Sequence, residues 1–381
     1  MQSSRAIGSG LFRLDSVSRE FSEKLDKVRA LLKKKRKSAA LITRQPNFSW
    51  LGCGAEARVA INTDKAAANW LVTKEEVYLL SNGIELPRLK AEALSKLEYE
   101  PVEYEWHNPD GLEIALKEVV DPKKVLSDSD DLVSRPQPAA FAELRYSLCK
   151  EEVARLRHLG KAMEAAMSAT AYNIRVDESE NEIAAQMIAA SVATGITPVV
   201  VLVAVDDRIK QFRHPLPTDR KLKRHAMLIM CARYQGLIAS MTRTVYFGDI
   251  PDALARRHKL VCTVDVALQR ATTIGAVAGE ILTTGIEKYK AVRFADEWEK
   301  HHQGGPCGYL PREYIVTPQT GAEVEAYQPF AWNPTIAGTK SEDTILITPK
   351  GPELITRSQD WPRVDVVVDK KKASRYAILD R

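Results

Sequence analysis

Ser240-Met241-Thr242-Arg243-Thr244-Val245-Tyr246-Phe247-Gly248 closes a run from 237 to 246 that reads as a strand, rich in β-branched residues and stopped by a glycine turn. Two more strands are expected just upstream, at 198–205 and 226–231. Ahead of them the spacing of Val153, Leu156, Leu159, Met163, Ala166 and Met167 predicts a long helix over 150–174. A second helix is expected over 178–193, with Ile183, Met187, Ile188 and Val192 on one face. Beyond the strand the pattern repeats. A helix pair is read at 253–273 and 280–300, then strands at 326–330, 343–348 and 353–356. Helix-helix-strands twice over fits two βαβ-like halves closing on one curved sheet.

Working outward, residues 20–140 alternate helical and strand-like segments, the rhythm of a small α/β domain. A helix over 21–32 is followed by a buried strand at 38–43. Strands at 69–72 and 77–80 pair across a charged turn; a helix covers 85–97 and a short strand 125–127. The stretch from Asp128 to Pro138, rich in Asp, Ser and Pro, has the composition of a boundary. The division expected is therefore 1–145 and 146–381. With 381 residues, two domains are the default. Apolar (45%) and charged (28%) shares are ordinary for a globular chain. No apolar run approaches the ~20 residues of a membrane helix. The segment from Arg5 to Arg13 has no hydrophobic signal region, so a cytoplasmic protein with no membrane partner is expected. Five scattered cysteines make neither a disulfide framework nor a zinc pair. Net charge is a mild +5, and the lysine-rich runs at 33–37 and 370–372 have no interleaved aromatics, which argues against nucleic-acid binding. The first run is read as the basic end of a helix, the second as a polar segment.

At the level of motifs the chain resembles the pita-bread family, M24-like, which includes methionine aminopeptidases, Xaa-Pro aminopeptidases and creatinase. The resemblance rests on Thr242-Arg243-Thr244, on His301-His302-Gln303-Gly304-Gly305-Pro306-Cys307-Gly308, on Arg312-Glu313 and on Ser341-Glu342-Asp343. It implies an α/β (α+β) fold: a small N-terminal α/β domain, including Asn47-Phe48-Ser49-Trp50-Leu51-Gly52, plus a C-terminal pita-bread domain with a pseudo-two-fold repeat. The peptidases of the family hold two divalent ions with two aspartates, a histidine and two glutamates. On that pattern the aspartate positions read Ile229 and Ser240, and the histidine position reads Gly305; Glu313 and Glu342 retain the glutamates. No metal and no other cofactor is therefore expected.

The resemblance points instead to creatinase, the metal-free branch. His214, in Arg213-His214-Pro215-Leu216-Pro217, falls where creatinase keeps its acid/base histidine. Thr242 stands where creatinase has a glutamate, and Ile229 removes the nucleophile that ectoine hydrolase would use. On its own His214 reads as a surface histidine in a Pro-rich loop, Glu342 as a sheet-edge cap, Arg312-Glu313 as an ion pair, and Arg243 as a structural strand arginine. Set on the family pattern, His214, Glu342 and Glu313 become the expected catalytic residues. Arg312, expected to hold a substrate carboxylate, His301, Thr242 and Tyr309 become the expected substrate contacts; Tyr309 and Trp332 are candidate pocket walls, although as aromatics they read more readily as core packing. Cys307 shows no feature that would activate its thiol. The expected chemistry is metal-independent hydrolysis of a C–N bond in a small polar, guanidino or amide molecule, by a homodimer. Two alternatives stand beside it: an Xaa-Pro-type metallopeptidase with a rebuilt site, and a non-catalytic binding module.

Overall fold

A computed structural model describes residues 8–381, and their side chains from residue 17 onward. The reading of the segment from Arg5 to Arg13 lies outside the described side chains. The chain divides into two compact units, one ending at Glu152 and the other Val153–Arg381.

In the first unit β1 (Ala39–Arg44), β2 (Lys65–Thr73), β3 (Val77–Asn82), β4 (Glu100–Tyr104) and β5 (Val125–Ser127) form one sheet, in the order β4-β3-β2-β1-β5. β1 and β2, like β2 and β3, run antiparallel, whereas β5 and β4 join in parallel. The apolar run of β1 is buried throughout, which fits a central strand covered on both faces. Ala39, Leu41, Leu71 and Leu80 pack with Leu116 and Val125. Trp70 points the other way and stacks on Phe48 with ring centroids 5.3 Å apart. The segment expected as a linker is instead bound into this unit. Asp128 is buried and accepts from the Thr43 amide at 2.9 Å, the Arg44 amide at 3.1 Å and the Asn47 side chain at 2.7 Å. Its Asp and Ser residues are turn chemistry tied to a sheet end. The helix expected over 85–97 is shorter, an α turn at Leu86–Arg88 running into a π turn at Leu89–Ala93. A helix at Gly111–Val119 was not anticipated.

In the second unit the helices Lys150–Asn173 and Glu180–Ala193 lead into β6 (Thr197–Val205), β7 (His225–Tyr234) and β8 (Leu237–Tyr246). After the helices Asp252–Ala271 and Ala278–Ala291 come β9 (Gly304–Pro306), β10 (Pro329–Trp332), β11 (Thr335–Ile336), β12 (Thr339–Lys340), β13 (Asp343–Thr348) and β14 (Gly351–Leu354). A hairpin of β15 (Arg363–Val368) and β16 (Lys371–Tyr376), then β17 (Leu379–Asp380), completes the unit. Two four-stranded sheets result, β17-β8-β7-β6 and β14-β13-β10-β9. β7 and β8 are joined through Gln235 (φ 47) and Gly236 (φ 80), the pair of positive φ values that a type I′ hairpin requires.

β8 is the seam between the sheets. One edge pairs with β7; along the other, Ile238 donates to the Gly308 carbonyl at 2.6 Å, and Thr242 to the Glu342 carbonyl at 3.1 Å. The Ser240 amide donates to the Thr344 hydroxyl at 2.8 Å, and β17 takes the far end in parallel. Behind this seam the helices Asp252–Ala271 and Ala278–Ala291 pack Val264, Leu268, Ile281 and Leu282 against Phe330, Trp332 and Ile345. The helix expected to run to 300 ends at Ala291; Arg293 adopts φ 67, and a 3-10 turn, Glu297–Lys300, redirects the chain towards His301. The lysines at 370–372 belong to the β15–β16 hairpin, whose turn holds Asp369 and Lys370 at positive φ.

Candidate functional site

Alternation along the β7–β8 hairpin puts four side chains on one face, because Cys231 pairs with Ser240 and Ile229 with Thr242. The Ser240 hydroxyl donates to Cys231 Sγ at 3.1 Å, and Ile229 packs among Leu202, Ala204 and Met227. The Thr242 hydroxyl donates to Glu342 Oε2 at 2.6 Å. Glu342 then meets two cations. Arg312 Nη2 donates to its Oε1 at 2.9 Å, and Lys340 Nζ lies 3.2 Å from its Oε2. Arg312 Nη1 also donates to Ser240 Oγ at 3.1 Å. All three charged groups are inside, with side-chain exposures of 3% for Lys340, 3% for Glu342 and 10% for Arg312. Burial works against the carboxylate, but Lys340 and Arg312, with the Thr242 and Arg312 hydrogen bonds, outweigh it and hold Glu342 at about 2. It is a permanent anion at neutral pH.

Three histidines face this group. His214 Nε2 and His301 Nε2 are 3.0 Å apart, a hydrogen bond in which one ring donates and the other accepts. His301 stacks on His302 with centroids 4.5 Å apart. Burial, then the charge of Lys340, pushes His301 down to about 2; burial and Arg312 push His302 down to about 4. His214, the most exposed of the three, is lowered by partial burial and by Lys340, while Glu342 pulls it the other way. All three are thus neutral imidazoles at pH 7.

One carboxylate fastens the segments that carry these groups. Glu297 Oε2 accepts from Arg213 at 2.6 Å and from the Ala337 amide at 3.0 Å, while Lys300 bonds Oε1 at 2.9 Å. Arg213 is the neighbour of His214, Glu297 precedes His301 by one turn, and Ala337 opens the bend that ends in Lys340.

Of the expected residues, His214, His301, Thr242, Arg312 and Glu342 are brought together. Glu313 turns into its own loop, where Oε1 accepts the Tyr309 amide at 2.9 Å. Tyr309 is packed inside at 2% exposure. Trp332 is buried as well, its indole donating to Thr272 at 2.9 Å. Cys307 is inert, its thiol pushed up to about 12 by burial. Lys340, His302 and Ser240 were missed as participants. A signal existed for Lys340, since residues two apart in an extended chain face the same side and Lys340 stands two before Glu342.

A sequence model of metallopeptidase family M24 matches residues 154–349, just over half of the 381 residues. The chain belongs to metallopeptidase family M24. An uncharacterized peptidase of Staphylococcus aureus is 26% identical over 153 residues, 38% of this chain and 43% of that protein. The matched region thus spans less than half the length of the first curated relatives. An Xaa-Pro dipeptidase of Pyrococcus furiosus is 22% identical over 225 residues, covering 57% of this chain and 65% of that one. The prolidase of Pyrococcus horikoshii superposes with a TM-score of 0.74 at 18% identity, over 88% of this chain and 99% of its own. That likeness establishes the fold, a small N-terminal α/β domain and a pita-bread domain.

M24 peptidases call for a dinuclear centre, and the residues here do not fit one. Ile229 is enclosed in an apolar cluster, and the hydroxyl of Ser240 is used by Cys231 and Arg312. Gly305 sits at φ +154 in β9, where a Cβ would lie 2.6 Å from the Tyr314 carbonyl oxygen, so no histidine has room. Glu342 bonds to Arg312 and Thr242 and pairs with Lys340. A divalent ion beside those two cations would be repelled by roughly 4 kcal/mol per pair of unit charges at 4 Å and an effective dielectric near 20. His214, His301 and His302 each offer a ring nitrogen within 4.8 Å of one another. That spacing admits a metal, but Lys340 bears on all three rings and opposes it.

Proposed function

We propose that this M24 chain is a metal-independent hydrolase of a C–N bond in a small polar amide-like molecule, with His214 as the acid/base group. The observation that carries the reading is the Arg312–Glu342–Lys340 cluster. Where the family's peptidases use metal ions to supply positive charge, this chain has two side-chain cations held on one carboxylate. In the proposed reaction His214 takes a proton from water as the water oxygen bonds to the substrate carbon. The C–N bond then breaks, and the same proton goes to the departing nitrogen. A neutral His214 at pH 7 is in the state this role needs, and the His301 hydrogen bond fixes its ring. A homodimer with small-molecule substrate and cytoplasmic location belongs to the same proposal. No helix among the described residues is long and apolar enough to cross a membrane.

Two observations favour a second reading, Xaa-Pro-type peptidase action: the family match and the likeness to a protein named Xaa-Pro dipeptidase. The deciding experiment is elemental analysis of dialysed protein with a screen of guanidino, amide and Xaa-Pro substrates. Turnover by metal-free protein that falls at least ~100-fold in His214→Ala, the scale of general acid–base catalysis, is the expected result. Stoichiometric metal with chelator-sensitive Xaa-Pro cleavage would reverse the order of the two readings. No turnover on any substrate, with His214→Ala equal to wild type in every assay, would favour the binding module.

A further inference from the structure

A second cavity, sharing no residue with the His214–Glu342 cluster, opens where β7 begins and β8 ends. We propose that it binds a small organic phosphate, with Arg220, Arg224 and Arg257 gripping the phosphate and Tyr246, Pro251 and Leu254 receiving the organic part. The inference goes beyond the hydrolase reading and does not depend on it.

The cavity holds about 780 Å³ and lies wholly within the second unit. That is within the roughly 300–1,000 Å³ of small-molecule sites. Two of its lining residues, His225 and Tyr246, face each other across the hairpin, four residues along from Ile229 and Thr242 and so about 13 Å from that pair. Met227, on the same face between them, packs with Ile209 and Ile229 in an apolar cluster, so the two places are separate. Asp206, at φ 52, shapes the chain here. Its carboxylate accepts from the amides of Lys223 at 2.9 Å, Arg224 at 2.9 Å and His225 at 3.0 Å. The backbone, not the arginine side chains, takes up its oxygens. Lys221 turns to Glu182 at 3.0 Å, Lys223 to Asp177 at 2.7 Å, and Lys210 lies 3.9 Å from Asp207. Arg220 and Arg224 have no side-chain hydrogen bond or ion pair among the described residues. Arg257 gives one N–H to the Ala337 carbonyl at 2.9 Å and meets no carboxylate among them. Even when the charge of Asp206 offsets one guanidinium, two around the same concavity lack a counter-charge.

A concave wall with that excess concentrates its field on an anion. A phosphate monoester brings about −1.5 to −2 charges at pH 7, which matches the two uncompensated cations, and its oxygens fit the planar fork of arginine. His225 is a second, independent mark. It lines the cavity at 8% exposure, and its Nε2 is buried with no hydrogen-bond partner among the described residues. A buried polar atom left unsatisfied calls for a partner from outside the chain. A phosphate oxygen accepting from Nε2–H supplies one.

Full-length protein titrated with AMP, adenosine and inorganic phosphate, by calorimetry and by the imidazole NMR signals of the histidines, tests this directly. AMP is expected to bind about tenfold or more tightly than either fragment, to shift the His225 ring and to leave His214, His301 and His302 in place. Arg224→Gln, on an exposed side chain, is expected to weaken AMP about tenfold or more at an unchanged melting temperature. If that variant fails to fold, Arg220→Gln serves in its place with the same expectation. Adenosine or inorganic phosphate binding as tightly as AMP, a shift at His214 instead of His225, or undiminished AMP affinity in the folded variants would each overturn the inference. Binding of a single-stranded oligonucleotide by protein that ignores AMP would overturn it too, and would assign the arginines to nucleic acid.

Discussion

At the scale of single residues, the decisive feature is that Glu342 faces inward to the chain's own cations. Lys340 lowers the proton affinity of His214 while Glu342 raises it, so removing Lys340 favours the imidazolium. In a folded Lys340→Met variant the acid limb of the kcat/KM profile is therefore expected to move to higher pH, and a pH–rate series on any turned-over substrate measures it. A limb that stays in place would mean that another group controls the profile. Thr242 is the second test. Its hydroxyl is a 2.6 Å donor to a buried carboxylate, and hydrogen bonds to charged groups contribute about 1.5–3 kcal/mol. Thr242→Val keeps the shape and loses the donor, so urea unfolding should show a loss of that size. Sequence marked Thr242, Arg312 and Glu342 through the family pattern, yet it could not show them bonded to one another. Thr242 and Arg312 lie 100 and 30 residues before Glu342, and only the folded seam joins them.

Among elements, β8 governs the site, and its reading from sequence was accurate over Leu237–Tyr246. Its β-branched run and the Gln235-Gly236 turn are local signals, independent of tertiary context. The short β9 was not legible, because Gly304-Gly305-Pro306 has no strand propensity and is held by pairing with β10. That pairing gives a prediction. Gly305→His, the substitution that would restore the family's metal ligand on paper, should unfold or strongly destabilise the second unit rather than create a centre. Thermal melts with and without added zinc or manganese decide it; a stable variant that gains a tightly bound metal would refute the steric argument. A further test lies at the start of β7. Burial lowers His225 to about 4, against an ordinary value of 6.5. A depressed histidine stays neutral in the folded chain while the unfolded chain takes up a proton. Stability is thus full above about 6.5 and is lost as pH falls towards about 4, by at most about 3 kcal/mol. Urea midpoints between those limits should fall in wild type and less steeply in His225→Phe.

Over the second unit as a whole, the fold is tied by an ionic network behind the site. Arg243 on β8 donates to Asp343 Oδ1 at 2.9 Å, while Arg375 on β16 reaches Asp343 at 2.7 Å and Asp265, in the helix Asp252–Ala271, at 2.6 Å. Arg375 thus pins the β15–β16 hairpin to the core between two buried carboxylates. Arg375→Met would leave those anions short of a partner, a change that typically costs about 3–5 kcal/mol. Denaturant unfolding and hydrogen exchange in β15 and β16 are expected to show the hairpin loosening first; unchanged exchange there would show that apolar packing alone suffices. Arg243 was read correctly as structural from its place in an inward-facing strand. Asp265, Asp343 and Arg375 had no such signal, since single charged residues in sequence look like any solvated face.

What the sequence determined by itself was the family and the succession of two helices and three strands from Lys150 to Tyr246. Both depend on periodicities and motifs written within a few residues of one another, and the replacements Ile229, Ser240 and Gly305 were visible in the same way. What only tertiary structure decided was which charges meet. Coulombic and hydrogen-bond energies depend on separation in space and on burial, neither of which spacing along the chain records. Lys340, Arg312 and Glu342 became one buried cluster, and His214 met His301, because β8 and the Glu297 carboxylate draw distant segments to the same place.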